Sequence, residues 1–259
     1  MQHPRIFLFI LLLAGSAQLT AQNTRLNTGE TTGWYNYFGT IRVADKWSVH
    51  TEYQWRRDDV INYWQQGLLR LGVNYHLNPR VLLRAGYAHI ETYAYGEIPL
   101  NALGRSFTEH RLYQMVQLSH KEGRVDISHR FMLEQRFVGR YSSANVTRED
   151  EFPFLNRMRY MLRLQVPLKG TQLQPKVPYA ALYDEIFVGF GKNVNANVFD
   201  QNRVGLVAGY VFSNTVRVEA GYLKQVLQFG RQINGRSVFQ NNHGLILNAN
   251  FSFDLRKKN

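Results

Sequence analysis

From Trp34 to Phe253 the chain alternates apolar and polar residues with a period of two, and the breaks between successive segments alternate between short and long. A period of two sends successive side chains to opposite faces of a strand, so this pattern calls for a β-sheet and leaves no room for helical layers. In WSVHTEYQWR, Trp47, Val49, Thr51, Tyr53 and Trp55 share one face, against Ser48, His50, Glu52, Gln54 and Arg56. Between Glu109 and Phe137, Leu112, Val116 and Leu118 oppose Glu109, Arg111, Tyr113 and Gln117. After a short polar break, Val125, Ile127, Phe131, Leu133 and Phe137 oppose Asp126, Ser128, Arg130, Glu134 and Arg136. Later segments repeat the pattern, with Arg157, Arg159 and Arg163 opposite Met158, Tyr160, Leu162 and Leu164. One segment, YAALYDEIFVGFG, is apolar on both faces and leaves Asp184 and Glu185 without an assigned side.

The connections at residues 44–46, 77–79, 121–123 and 213–215 are tight, with 168–176 an intermediate member of the same series. Between them lie longer polar connections at 58–62, 92–107, 141–153, 191–202 and 230–241. Short turns on one side and long loops on the other are the layout of a transmembrane up-and-down barrel. Aromatic residues gather toward the segment ends, as interfacial belts do. The expected fold is therefore an all-β, antiparallel transmembrane barrel of about twelve strands. Eleven are clear, and residues 23–29 supply a weak first strand that would make the number even.

The first residues, MQHPRIFLFILLLAGSAQLTAQ, pair a basic start with a short apolar run and small residues, the form of a cleaved secretory signal. The organisation expected is a signal peptide over residues 1–21 and a barrel over 22–259, in the outer membrane of a Gram-negative cell. With no cysteine the chain has neither disulfides nor a lipoprotein anchor. The formal charge is +12, of which the leader carries only Arg5, leaving 12 − 1 = +11. Arginine supplies 23 of the 31 basic residues and recurs inside the periodic segments, which suits fixed ion-pair networks better than a nucleic-acid face.

If the apolar faces meet lipid, the charged faces converge on a lumen. The lumen-lining ionic network expected from alternation comprises Glu109, Arg111, Arg130, Glu134, Arg136, Arg157, Arg159, Arg163, Arg203, Arg217 and Glu219. Arg42, Arg56, Arg70, Arg84, Glu52 and Asp126 fall on the same side. The segment with Arg157, Arg159 and Arg163 has no acid beside them along the strand, which makes it the first place to look for surplus positive charge. Such charge would favour small anions. The alternative is a cross-lumen network that seals and stiffens the wall.

No G-x-S-x-G, H-E-x-x-H or phosphate-loop motif occurs, nor any metal-ligand spacing or cofactor signature. Ser119 and His120, like Ser128 and His129, are adjacent and so point to opposite faces. The chain is therefore read as not an enzyme, a lipid-modifying barrel being the third possibility. Arg105, Arg140, Arg148, Arg231 and Arg236 fall in the connections, where they would face lipopolysaccharide phosphates. The expected partners are outer-membrane lipid, lipopolysaccharide, the barrel-assembly machinery and small anionic solutes, with no nucleic acid.

Seven stretches in order carry a family likeness: Trp34, GYAHIE at 86–91, EHRLYQ at 109–114, HRFMLEQRF at 129–137, RMRYMLR from Arg157, YDEIFV at 183–188 and FDQNR at 199–203. On these the chain resembles the domain of unknown function 2490 family of outer-membrane β-barrels, found in Bacteroidota-type bacteria. The resemblance implies an outer-membrane location and assigns no activity. The chain ends DLRKKN after Phe253, where many outer-membrane barrels end on the aromatic itself. Together these readings give a small passive pore or solute-binding barrel biased toward anions, with a sealed structural or surface-interaction barrel as the alternative.

Overall fold

The computed structural model describes residues 25–194 and 197–256, and the leader at 1–21 lies outside the described residues. All regular structure is strand: β1 (Arg25–Thr28), β2 (Thr31–Arg42), β3 (Trp47–Asp58), β4 (Tyr63–Asn78), β5 (Val81–Thr92) and β6 (Phe107–Glu122), then β7 (Val125–Val138), β8 (Phe154–Pro167), β9 (Val177–Phe190), β10 (Phe199–Val211), β11 (Val216–Ile233) and β12 (Arg236–Asp254). From β2 to β12 each strand pairs antiparallel with the next, and β12 closes on β2.

The closing pair is parallel, from His243↔Thr31 to Asp254↔Arg42. Strand β1 lies on the same edge of β12, Arg25↔Ser237 to Thr28↔Gln240, and so prolongs the line of β2. The weak N-terminal strand is thus present and brings the count to twelve. The even ring expected from the sequence does not form: eleven strands close the barrel, and a parallel seam absorbs the odd number.

Turn chemistry sets the register. The Asn78 side chain accepts the Arg80 amide at 2.8 Å in the β4–β5 turn, and Ser213 Oγ accepts the amides of Thr215 and Val216, both at 3.1 Å. The expected long connection at 230–241 is absent. Strands β11 and β12 continue through it and reverse in two residues, Asn234 and Gly235, with φ of 50° and 73°. Positive φ at both positions is the two-residue hairpin turn that Asn-Gly favours, so the polar character of this stretch marks strand ends and not a loop.

The faces are inverted relative to a water-soluble barrel. Leu69, Leu71, Leu112, Leu182, Leu206, Tyr222, Leu245 and Leu247 lie exposed on the outer wall, while Arg70, Arg111, Glu109, Glu134, Arg157 and Glu219 are buried inside. Outer aromatics form two bands. Trp55, Trp64 and Tyr93 pack at the end bearing the long loops, Trp55–Trp64 at 6.0 Å and Trp64–Tyr93 at 5.3 Å. Trp47–Tyr75 at 4.9 Å and Tyr210–Phe212 at 4.8 Å do so at the end bearing the short turns. This layout is compatible with an outer-membrane barrel. Inside, Tyr113 lies across Gly72 and Gly86, where a Cβ would stand 2.4 and 2.8 Å from its hydroxyl oxygen, so these glycines make room for lumen tyrosines.

Candidate functional site in the barrel lumen

The lumen is crossed near its middle by a layer of ion pairs. Glu134 on β7 is its centre, 1% exposed, with Arg157 at 2.5 Å and Arg159 at 2.7 Å from β8. Arg70 of β4 and Arg111 of β6 each approach it to 3.8 Å. Glu109 holds Arg111 at 2.6 Å and Arg136 at 2.5 Å. Asp200 on β10 reaches Arg157 at 2.7 Å and Arg136 at 3.4 Å, and Glu185 on β9 takes Arg159 and Arg130, each at 2.7 Å. Toward the turn end, Glu219 accepts from Arg163 at 2.5 Å, the Tyr179 hydroxyl at 2.7 Å and Asn248 at 3.1 Å. Remaining guanidinium faces lie on rings: Arg159 and Arg203 over Phe187 at 4.4 and 4.6 Å, and Arg56 and Arg203 over Trp34 at 3.8 and 4.7 Å.

Of the expected network, Glu109, Arg111, Arg130, Glu134, Arg136, Arg157 and Arg159 come together with Asp200 and Glu185, whereas Arg163 pairs with Glu219 as a separate unit. Among the described residues no carboxylate lies within 4.0 Å of Arg203 or Arg217, nor of Arg56 or Arg84. Arg203 donates through Nε to Gln201 at 3.1 Å and Arg84 to Asn74 at 2.6 Å. The surplus charge therefore does not sit on Arg157, Arg159 and Arg163. Acids from β7, β9, β10 and β11 reach those arginines across strands and across the lumen, contacts that the sequence along one strand cannot reveal. Two members were missed, Glu185 and Asp200. Glu185 and Asp184 split to opposite faces, Glu185 buried and Asp184 exposed, and Asp200 sits at a bulge between Phe199 and Gln201 that breaks the alternation.

Two cavities flank the layer. The larger, about 960 Å³, opens at the turn end past Arg80, His120 and Lys121. It is lined by nine Arg or Lys side chains against four carboxylates, those of Glu52, Asp126, Glu185 and Glu219. Arg84, Arg203 and Arg217, all without a carboxylate partner, are among the nine. The smaller, about 190 Å³, lies at the loop end above Arg56, Arg111, Arg157 and Asp200. Trp34 and Arg203 border both cavities.

The loop end is covered. The β5–β6 loop reaches across the mouth: the Tyr95 hydroxyl donates to Gln240 of β12 at 3.0 Å, and Arg231 of β11 donates to the carbonyls of Pro99 and Leu100 at 2.7 and 3.3 Å. In the β7–β8 loop, Ser142 donates to Asp150 through its amide at 2.9 Å and its hydroxyl at 2.5 Å, which holds that exposed carboxyl below its usual range. Arg105 donates to the carbonyls of Ala144, at 2.9 Å, and Val146. Arg105 and Arg231, expected to face lipopolysaccharide, are thus spent on clamping loops.

No curated protein matches the chain. The model of a protein family described as of unknown function, DUF2490, matches residues 31–234, a span from β2 into the β11–β12 hairpin that takes in every charged network residue named above. Strands β2 to β11 and the ion-paired layer they carry therefore fall within the matched region, β1 and the closing strand β12 lie outside it, and the chain belongs to the DUF2490 family.

Proposed function

We propose that this protein is an outer-membrane barrel, delivered by its signal peptide, that holds small anions in a vestibule entered from the turn side. The observation that carries the reading is the 960 Å³ cavity with nine cationic side chains against four carboxylates. Four arginines there, Arg80, Arg84, Arg203 and Arg217, lack a carboxylate partner, so an entering anion replaces no internal ion pair. Guanidinium groups in a confined, low-dielectric space bind phosphate, sulfate or carboxylate oxygens with paired hydrogen bonds. Behind the vestibule stand the Glu134 layer and the β5–β6 loop, so the lumen offers two cavities and not one continuous path. That arrangement favours a binding barrel over a freely conducting pore, and no catalytic group is needed for it.

The test is titration of the detergent-solubilised barrel with phosphate, sulfate and a small dicarboxylate, followed by reconstitution in planar bilayers. Expected are saturable anion binding that weakens as sodium chloride is raised, and no sustained conductance steps. Stepwise conductance preferring cations, or no anion binding at low salt, would overturn the reading.

A further inference from the structure

The outer wall carries an anomaly of its own. On β9 the outward row runs Ala180, Leu182, Asp184, Ile186, Val188 and Phe190, so an exposed carboxylate sits in the middle of an apolar row. On β11 the outward row includes Tyr222, Lys224 and Val226, and Lys224 is exposed. Among the described residues these are the only Asp, Glu, Lys or Arg side chains on the outward rows away from strand ends. They share one lateral line of the sheet: Asp184 pairs in register with Val204 of β10, and Val204 with Lys224. No ion pair joins Asp184 to Lys224 within the chain; the partner Asp184 has is the Asn202 amide, which donates to it at 2.5 Å.

A carboxylate facing acyl chains at mid-wall is costly, and unlike a lysine it is too short to reach the headgroups. The arrangement is, however, self-complementary. Two residues of opposite charge flank Val204 on either side, about one strand spacing of roughly 4.8 Å away. A second barrel facing the first, related by a two-fold axis along the barrel axis and beside Val204, sets Asp184 of each copy opposite Lys224 of the other. Strand tilt leaves the two Cα positions at depths differing by roughly 6 Å, which the four-carbon stem of Lys224 can span. Leu206, 58% exposed on the same strand, continues the contact line below Val204 and completes an apolar surround with Leu182 and Tyr222.

We propose that β9–β11 form the interface of a membrane-embedded homodimer, closed by two reciprocal Asp184–Lys224 pairs around Val204. The inference rests on the membrane placement proposed above and is independent of what the lumen binds. Because the chain has no cysteine, Val204→Cys places a single thiol at the axis. In oxidised cell envelopes V204C is expected to give a disulfide-linked dimer, at least tenfold above the Leu71→Cys control on the opposite wall. Adding Asp184→Lys or Lys224→Asp to V204C should reduce the cross-link at least fivefold. Co-expressing the two charge-reversed chains should restore it, since each copy then meets its complement. No cross-link in V204C protein recovered from the carbonate-washed membrane overturns the dimer alone, while recovery in the soluble fraction overturns the membrane placement and the dimer with it. Rescue only when both reversals sit in one chain makes the pair internal and overturns the interface. If charge reversal blocks barrel formation, Asp184→Asn and Lys224→Gln take its place, and an undiminished V204C cross-link in both rejects the pairing.

Discussion

The two halves of the lumen are built from the same residue types and do opposite things with them. In the loop-side half, Glu109, Glu134 and Asp200 are each held by two or more arginines, and a loop closes the mouth. In the turn-side half, Arg84 and Arg217, with Arg203 at the border between the halves, stand beside open volume without a carboxylate. Composition alone does not separate a strut from a binding surface. The stoichiometry of cations to acids at each level along the axis does, because paired charges spend their hydrogen bonds on each other and unpaired ones keep them for a solute.

The largest effect should come from removing the shared acid of the closed half. Glu134→Ala takes from Arg157 and Arg159 one of the two carboxylates each one contacts, and from Arg70 and Arg111 a second carboxylate at 3.8 Å. A loss of about 3–5 kcal/mol is expected, read as a lower denaturant midpoint for the folded barrel in detergent. A change below about 1 kcal/mol would erase the contrast between the halves. In the open half the pattern reverses: Arg84→Gln with Arg217→Gln should move stability by no more than about 1 kcal/mol while weakening phosphate binding by about tenfold or more, measured by calorimetric titration.

Smaller effects sharpen where the closed half ends. Tyr95→Phe with Arg231→Gln removes three hydrogen bonds that pin the β5–β6 loop, a local loss of about 1–3 kcal/mol. Protease cleavage within residues 93–106 should rise with no change in the core barrel. Gly235→Ala, at a φ of 73°, should cost about 1 kcal/mol and leave anion binding untouched, a baseline for strain at the rim.

Much of the wall was legible in the sequence because an apolar outer face and a charged lumen face enforce the period of two on every strand. Leu69, Leu71 and Leu206 outside, and Arg111, Glu134 and Arg157 inside, follow from alternation alone. Legibility failed wherever a local rule competed with that period. The β9 segment hid Glu185 because Tyr179, Tyr183 and Phe187 fill its lumen row with aromatics, so both faces looked apolar. The bulge at Phe199 hid Asp200, and the Asn234–Gly235 turn lay inside a polar run that resembled a loop. Pairing was hidden more deeply. Arg157 meets Asp200 and Arg163 meets Glu219 across intervening strands, and the curvature of a closed ring, which no linear pattern encodes, decides such meetings. The parallel seam was invisible for the same reason, since only closure shows that β2 and β12 are neighbours.

That seam bears on topology mapping. Strands β2 and β12 traverse the wall in the same sense, so the polypeptide enters the ring at the loop-bearing rim and leaves it at the turn-bearing rim. With the membrane placement proposed above, an epitope beside Arg25 and a second one following Asp254 would consequently emerge in different compartments. One doubly labelled molecule, stained on intact and then permeabilised cells, would reveal which rim faces the environment.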